Sequence, residues 1–200
     1  ENVVATRRVA VDPRPQFNTR SVPDGLSVHR MTSDQYFSLG LTESFDFVYI
    51  DGEHTHEQSY RDFLNATTVL APDGIILFDD SVPEDEWAAI PDEAESHRKR
   101  LAATGKSFGS HQGDVWKTVI AIAQFHPTFE IATLPGPSRH RTLVFPRRLG
   151  ANGASHYPSG ALDHLTYEGA FAQGVPAEFK VTTLEHVLHR LTSRDRITAF

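Results

Sequence analysis

The stretch that decides the fold reads FDFVYIDGEHTH (residues 45–56), and GIILFDD (residues 74–80) repeats its pattern further along the chain. Each begins as a short apolar run and ends abruptly in acidic residues. A strand of a parallel sheet is buried on both faces, so it reads as a continuous apolar run. The carboxyl ends of such strands meet at one edge, where α/β proteins bind ligands. The sequence therefore predicts a site at which Asp51, Asp79 and Asp80 lie close together.

The bulk composition narrows the class of protein. Two hundred residues are enough for one domain with a substantial core. The formal net charge of -7 disfavours nucleic acid as the main partner, because phosphate backbones are bound through Lys and Arg. The absence of cysteine excludes a disulfide scaffold and a thiolate metal site, and no apolar run reaches membrane-spanning length. We therefore predict a cytoplasmic protein with neither nucleic acid nor a membrane as its partner.

Strand and helix signals alternate along the chain. Apolar runs predict strands at 9–11, 26–29, 45–50 and 75–78, a turn at 72–74, and a hairpin of 129–134 with 142–145. Capping patterns predict helices that begin at Thr32, Thr55, Ser81, Asp114 and Thr182, the third of them running to about residue 103. This order predicts an α/β fold with a doubly wound, mostly parallel, Rossmann-like sheet, a terminal antiparallel hairpin and a C-terminal helical extension.

Several motifs resemble those of the class I S-adenosylmethionine-dependent methyltransferases. The general motifs are VAVD (9–12), MTSD (31–34), YIDG (49–52), PDGI (72–75) and LFDD (77–80). A small bacterial branch of that family is matched by IDGEH (50–54), RDF (61–63) and GDVWK (113–117). The resemblance covers residues 7 to 146 and rests on the combination, since each short motif alone is a weak signal.

The resemblance implies roles for particular residues. It implies that Asp12 holds the ribose of S-adenosylmethionine, that Thr32, Ser33 and Asp34 flank its adenine, and that Asp51 and Gly52 lie at its amino-acid end. His54, Asp79 and Asp80 are then expected to face the acceptor. The expected reaction is methyl transfer to an oxygen, or less favourably a nitrogen, of a small molecule.

The chain departs from the family pattern at its N-terminal end. The family's first strand and its Gly-rich cofactor loop have no counterpart in the sequence. We therefore expect Glu1 to lie inside the first helix of the family fold, with further residues before it. Residues 1–146 are predicted to be an N-terminally incomplete methyltransferase-like domain, and 147–200 a linker and helical extension that a homo-oligomer could use.

The carboxylates and histidines each admit two interpretations. Asp51, Asp79 and Asp80 are candidate ligands for Mg²⁺, because hard cations prefer oxygen. Alternatively, Asp51 only orders the cofactor while Asp79 or Asp80 caps the next helix. His54 is a candidate general base, and it also serves as a candidate cofactor contact. His56 either faces the pocket with His54, or begins a helix and points toward solvent.

The motif GDVWK and the overall function also leave alternatives open. Trp116 is interpreted as core and Asp114 as a helix cap, although both belong to a motif of the family branch. Two other functional classes stay open, a non-catalytic methyltransferase-like scaffold and a metal-dependent hydroxylase or hydrolase that uses the same carboxylates. The acceptor is not identified by the sequence, since fold does not determine chemistry.

Overall fold

The computed structural model describes residues 4–19, 21–106, 108–136, 139–147 and 160–193. The chain divides into two compact units, Glu1–Glu43 and Ser44–Phe200, and each is described by itself. The expected helical position of Glu1 lies outside the described residues, as does most of the predicted linker after residue 147. The predicted domain boundary at 146 stays a prediction.

The N-terminal unit contains two parallel strands and one short helix. Strand β1 (Arg8–Val11) pairs with β2 (Leu26–His29), and helix α1 (Ser33–Phe37) follows. The hydroxyl of Thr32 accepts from the Gln35 amide, and the Gln35 side chain accepts from the Thr32 amide. This reciprocal arrangement satisfies two donors at the helix start, as the capping-box spacing predicted.

The C-terminal unit contains the main sheet. Its elements are β3 (Phe45–Ile50), α2 (His56–Val69), β4 (Leu70–Phe78), α3 (Glu93–Thr104), α4 (Trp116–Phe125), β5 (Phe129–Leu134), β6 (Arg141–Pro146), α5 (Tyr167–Phe171), a 3₁₀ turn (Ala177–Phe179) and α6 (Leu184–Ser193). The strand order is β3-β4-β6-β5, with β3 and β4 parallel and β6 antiparallel to both of its neighbours. The predicted α/β fold with a Rossmann-like sheet and a terminal hairpin is confirmed.

The predicted turn at 72–74 is wrong, because β4 runs through it. The register passes from Phe45 opposite Leu70 to Phe47 opposite Ile75, so the residues between Leu70 and Ile75 form an irregularity in the ladder. A proline lacks the amide hydrogen that a regular ladder requires, and such irregularities are where strands tolerate it. The turn signal therefore marks a bulge within a strand.

The predicted helix from Ser81 also fails at its start. Ser81 is fully buried, and its hydroxyl oxygen accepts from Thr142 Oγ1 at 2.8 Å. The helix α3 begins only after Pro91, where Asp92 Oδ1 accepts from the Glu95 amide at 2.7 Å. A proline disfavours helical backbone in the residue before it, so the stronger start signal lies after Pro91.

Two predicted caps act elsewhere. The last helix begins at Leu184, and its cap is Thr183, whose hydroxyl accepts from the His186 amide at 3.2 Å, rather than Thr182. Asp114 caps α2 instead of α4, since its Oδ1 accepts from the His56 amide at 2.6 Å. The side chain of Asp114 thus satisfies an orphan donor of a helix distant in sequence.

The core lies between the sheet and helices α2 and α4. Trp116 is 1% exposed, which confirms its interpretation as core, and it meets the ring of Phe171 edge-on at 5.6 Å between centroids. Other fully buried side chains in this core are Phe63, Ile76, Phe78, Val119, Ile122 and Phe179. Burying each large apolar side chain contributes roughly 1.5–3 kcal/mol. Among the described residues, none of the helices is long and apolar enough to cross a bilayer.

Candidate functional site

Strands β3 and β4 deliver three carboxylates to the same edge of the sheet. The parallel register places Ile50 opposite Phe78, and the Asp79 amide donates to the Ile50 carbonyl at 3.1 Å. The residues that follow each strand therefore emerge side by side, as the parallel pairing predicted. We call Asp51, Asp79 and Asp80 the acidic edge.

Asp80 is the most constrained member of the acidic edge. It is 1% exposed, and its backbone has a φ of +50°, which is uncommon for a residue other than glycine. In the described part of the chain, neither of its carboxylate oxygens accepts a hydrogen bond. The nearest cationic groups are His54 Nε2 at 3.2 Å and Arg139 Nη1 at 3.4 Å. Burial raises the pKa of Asp80, and these two groups only partly oppose that shift.

Asp79, by contrast, is well satisfied. Tyr49 donates its phenolic hydrogen to Asp79 Oδ2 at 2.6 Å, the Asp80 amide donates to Asp79 Oδ1 at 3.0 Å, and Arg141 Nε lies 3.5 Å away. Burial alone would raise the pKa of Asp79, but these donors and cations outweigh it and lower that pKa. Burial and the neighbouring carboxylates in turn raise the pKa of Tyr49, so its hydroxyl stays a donor.

His54 is held against the acidic edge by the backbone of a distant loop. Its Nδ1 lies 3.1 Å from the carbonyl oxygen of His111, and the Asp114 amide donates to the His54 carbonyl at 3.2 Å. A carbonyl can only accept, so Nδ1 carries the hydrogen and, in the neutral ring, Nε2 carries the lone pair. That lone pair faces carboxylate oxygens of Asp51 at 3.6 Å and of Asp80 at 3.2 Å.

This arrangement favours a positive charge at Nε2 of His54. The Asp51 carboxylate raises the pKa of His54, burial works against this, and the Asp80 charge adds to the increase. The ring also stacks on His111, with centroids 5.4 Å apart, and is 23% exposed at its side chain. An imidazole that is partly open to solvent and stabilised in its protonated form can accept a proton from a bound acceptor.

Donor atoms of Asp51, His54 and Asp80 all lie within 4.8 Å of one another, as they would around a shared metal ion. The structure thus joins two of the three predicted metal ligands with the predicted base. Asp79, the third predicted ligand, is engaged by Tyr49 and Arg141. The predicted catalytic and metal-binding roles of these residues stay predictions.

His56 lies two residues further on and has a different environment. It begins α2, as one of the two interpretations held, but it does not point to solvent, because it is 6% exposed. Its Nδ1 lies 3.0 Å from Thr118 Oγ1, and Ser59 donates to the same hydroxyl at 3.1 Å. Burial lowers the pKa of His56 despite neighbouring acids. The ring is therefore neutral and structural near pH 7.

The remaining predicted cofactor residues lie mainly in the N-terminal unit. Asp12 directly follows β1, its amide donates to the His29 carbonyl, and its Oδ1 accepts from the Arg14 amide at 2.7 Å. Thr32 is the cap of α1, while Ser33 and Asp34 form its first turn. Because β1 and β2 are parallel, Asp12 and the start of α1 follow the same edge of this two-stranded sheet. Gly52 follows Asp51 in the C-terminal unit. Cofactor binding by these residues stays a prediction.

Several residues around the acidic edge were not identified from the sequence. Tyr49 could have been found, because alternate strand residues share a face and Tyr49 precedes Asp51 by two positions. His111, Arg139 and Arg141 carry no such signal, since they reach the site from segments far away in the chain.

Comparisons with known proteins find a methyltransferase match over part of the chain. Residues 2–81 match the family model Methyltransf_24, which is described as a methyltransferase domain. No curated protein sequence matches.

Among the solved structures that are similar, three match this chain over about half of their own length. Rv0187 from MTB, solved with a bound cofactor, has a TM-score of 0.46 at 15% identity, over 62% of this chain and 50% of that one. A protein assigned as an O-methyltransferase from Klebsiella pneumoniae has a TM-score of 0.43 at 17% identity, over 61% of this chain and 50% of that one. An O-methyltransferase from Bacillus cereus in complex with SAH has a TM-score of 0.40 at 16% identity, over 61% of this chain and 51% of that one. The match of residues 2–81 to a methyltransferase domain confirms the resemblance of this chain to the class I S-adenosylmethionine-dependent methyltransferases.

Proposed function

We propose that the protein transfers a methyl group from S-adenosylmethionine to an oxygen, less favourably a nitrogen, of a small-molecule acceptor in the cytoplasm. The observation that carries the proposal is the His54 imidazole, which lies against the carboxylates of Asp51 and Asp80 at the carboxyl edge of β3 and β4. The methyltransferase match over residues 2–81 supports a methyl donor as the cofactor.

The chemistry demands little more than alignment and removal of one proton. The sulfonium of the donor already activates its methyl group, so the bond from acceptor oxygen to carbon forms as the bond from sulfur to carbon breaks. The reacting atoms must approach to about 3–3.5 Å. In this proposal Nε2 of His54 accepts the hydroxyl proton, and Asp51 and Asp80 stabilise the resulting imidazolium.

A divalent cation is a further part of the proposal. The predicted set is Asp51, Asp79 and Asp80 with Mg²⁺, and a cation there would orient the acceptor hydroxyl and lower its pKa. The Asp80 carboxylate is buried and accepts no hydrogen bond from the described residues, which supports a cation at this edge.

Calorimetry with S-adenosylmethionine and S-adenosylhomocysteine, with and without Mg²⁺, tests the proposal. We expect micromolar binding, and we expect Asp12→Ala to weaken it at least about tenfold by removing charged hydrogen bonds to the ribose. Asp24→Ala is the matched control, an exposed carboxylate of the same unit outside the assigned site. Unchanged affinity in Asp12→Ala refutes the ribose assignment. No binding of either compound by the unaltered protein favours a non-catalytic scaffold.

The base role of His54 needs a separate measurement. We expect His54→Gln to lower turnover about 100-fold or more, measured as S-adenosylhomocysteine released with a panel of hydroxylated small molecules. The affinity of His54→Gln for S-adenosylmethionine should change far less, because the substitution impairs proton removal and not cofactor binding. Unchanged turnover in His54→Gln contradicts the base assignment. Activity that requires a divalent cation but no S-adenosylmethionine would favour a hydrolase or hydroxylase instead.

A further inference from the structure

We propose that a cavity beside the acidic edge binds the acceptor, and that this acceptor is a small aromatic molecule carrying a protonated amine. The cavity lies within the C-terminal unit and has a volume of about 460 Å³. Pockets that hold small organic molecules measure roughly 300–1,000 Å³. The role of the ligand as acceptor rests on the proposed function, whereas its binding to the cavity requires no S-adenosylmethionine.

Two chain segments that meet at the acidic edge continue directly into the walls of this cavity. Arg139 Nη1 lies 3.4 Å from Asp80 Oδ1. Val82 and His140, which follow Asp80 by two positions and Arg139 by one, both line the cavity. Ser81 donates to the His140 carbonyl at 3.4 Å, which ties the two segments together. Two residues of chain span at most about 7 Å, so a molecule in the cavity lies next to the acidic edge.

The aromatic wall of the cavity is a stack of two rings that exists without a ligand. Tyr167 and Phe171 lie one turn apart on α5, with ring centroids 4.7 Å apart and ring planes 20° from parallel. Phe171 also contacts the rings of Trp116 and Phe179, at 5.6 and 6.0 Å between centroids. The core therefore anchors Phe171 and leaves the partly buried Tyr167 as the outer ring of the two. A wall held in place in this way loses little conformational freedom when a ligand binds.

Three polar side chains of the lining have hydrogen-bonding capacity to spare. The carboxylate of Glu84, the hydroxyl of Tyr167 and the imidazole of His140 make no hydrogen bond or ion pair with any described residue. The backbone of Glu84 is nevertheless fixed, because its amide donates to the side chain of the fully buried Gln112 at 3.0 Å. A largely apolar pocket with a few polar groups that lack partners is the usual form of a small-molecule site.

The charge of the lining selects the class of ligand. Among the described residues that line the cavity, Glu84 carries a carboxylate and none is Lys or Arg. Burial raises the pKa of Tyr167, and nearby carboxylates add to the increase, so its hydroxyl stays protonated in a negative environment. An ammonium group is attracted both by carboxylates and by the face of an aromatic ring. The buried Val82 and Pro83 provide an apolar surface for the body of the molecule. The cavity therefore favours an aromatic ammonium ion over an anion of the same shape.

Titration with three molecules of nearly equal size tests the proposal. At pH 7, 2-phenylethylamine is cationic, 2-phenylethanol is neutral and phenylacetate is anionic, while all three carry the same ring. Protein NMR without S-adenosylmethionine measures each affinity. We expect 2-phenylethylamine to bind with a Kd of about 1 mM or below and about fivefold more tightly than 2-phenylethanol, with phenylacetate the weakest.

Substitutions assign this binding to the cavity. Glu84→Gln should remove the advantage of the amine over the alcohol, whereas Glu86→Gln, at an exposed carboxylate outside the lining, should keep it. Tyr167→Leu should weaken all three molecules about fivefold, and Tyr167→Phe, which keeps the ring, should change them less than twofold. Should Tyr167→Leu fail to fold, Val175→Phe replaces it, since Val175 is 37% exposed and a larger side chain there narrows the cavity.

A different order of affinities overturns the proposal. It fails if the alcohol or the carboxylate binds as tightly as the amine, if the advantage of the amine survives Glu84→Gln, or if Tyr167→Leu and Val175→Phe both bind normally. Calorimetry with S-adenosylmethionine is independent of these results. A protein that binds the cofactor but not the amine keeps the proposed function and loses this inference. One that binds the amine but not the cofactor keeps the binding site and loses both the proposed function and the acceptor role.

Discussion

His54 and His56 are two positions apart in the chain, yet their surroundings differ in kind. His54 faces the acidic edge, where the buried Asp80 carboxylate accepts no hydrogen bond within the described part of the chain. His56 belongs to a second cluster, which we call the helix-start network and which consists of His56, Ser59, Asp114 and Thr118. In this network the buried polar groups find partners.

The difference separates a site that costs stability from one that provides it. Buried polar groups with complete hydrogen bonds rigidify a structure, whereas an unsatisfied one is expensive to keep. Asp80 is buried, has a left-handed backbone and accepts no side-chain hydrogen bond from the residues that the structure describes, and such strain clusters at functional sites. The helix-start network instead connects α2 to α4 and has no comparable strain. We therefore expect removal of the Asp80 charge to stabilise the protein and substitutions in the helix-start network to destabilise it.

The largest loss of stability is expected at Gly113, which contacts His54 and directly precedes Asp114 of the helix-start network. Gly113→Ala places a methyl group on the His54 carbonyl oxygen in a backbone with positive φ, so we expect a loss of about 3 kcal/mol or more. Urea unfolding measures it. Gly105→Ala is the control, since Gly105 has a φ of +71° but open space around it, and should lose only about 1 kcal/mol. Equal losses would show that backbone conformation alone matters.

The next effect concerns the helix-start network. Thr118→Val keeps the shape but removes the hydroxyl that meets both His56 and Ser59, so we expect a loss of about 1–3 kcal/mol in unfolding free energy. Thr68→Val, at an exposed position of α2, should change stability by less than about 0.5 kcal/mol. A neutral result at Thr118 would mean that the network is not what holds α2 against α4.

At the acidic edge, substitutions of the consecutive residues Asp79 and Asp80 should change the free energy of unfolding in opposite directions. Asp80→Asn removes a charge that burial disfavours, and asparagine tolerates positive φ, so we expect a gain of about 1 kcal/mol at pH 7 in chelator. Asp79→Asn should instead lose about 1 kcal/mol, because its charge is stabilised by Tyr49, the Asp80 amide and Arg141. Losses in both variants would contradict the contrast. Urea unfolding of each variant and of the unaltered protein measures these changes in the free energy of unfolding.

The smallest effect is a difference in pH dependence between the two histidines. The pKa of His54 is raised, so its stabilising contribution is complete below about pH 6.5 and lost as pH rises through its folded pKa. The pKa of His56 is lowered, so stability instead falls as pH drops below about 6.5. NMR titration in chelator should find the two pKa values on opposite sides of 6.5. Two values on the same side would remove the distinction.

Much of the fold followed from short-range patterns. The strands at Phe45–Ile50 and Leu26–His29 and the cap at Thr32 were predicted because each depends on neighbours within a few residues. The helix predicted from Ser81 failed for a tertiary reason. The hydroxyl oxygen of Ser81 instead accepts a hydrogen bond from Thr142 of β6, inside the core. A capping signal is only a local preference, and a buried contact outweighs it.

Of the candidate site, the acidic edge was within reach of the sequence, because apolar runs that end in aspartate imply neighbouring strand ends. Which carboxylate is well supplied with hydrogen bonds, and which accepts none from the described residues, was not. That depends on Tyr49 of β3, on Arg139 just before β6 and on Arg141 at the start of β6, which lie beside Asp79 or Asp80. The different environments of His54 and His56 likewise arise from contacts with residues 111–118. Residues distant in sequence meet only once the core has packed, and electrostatic environment is set by those meetings.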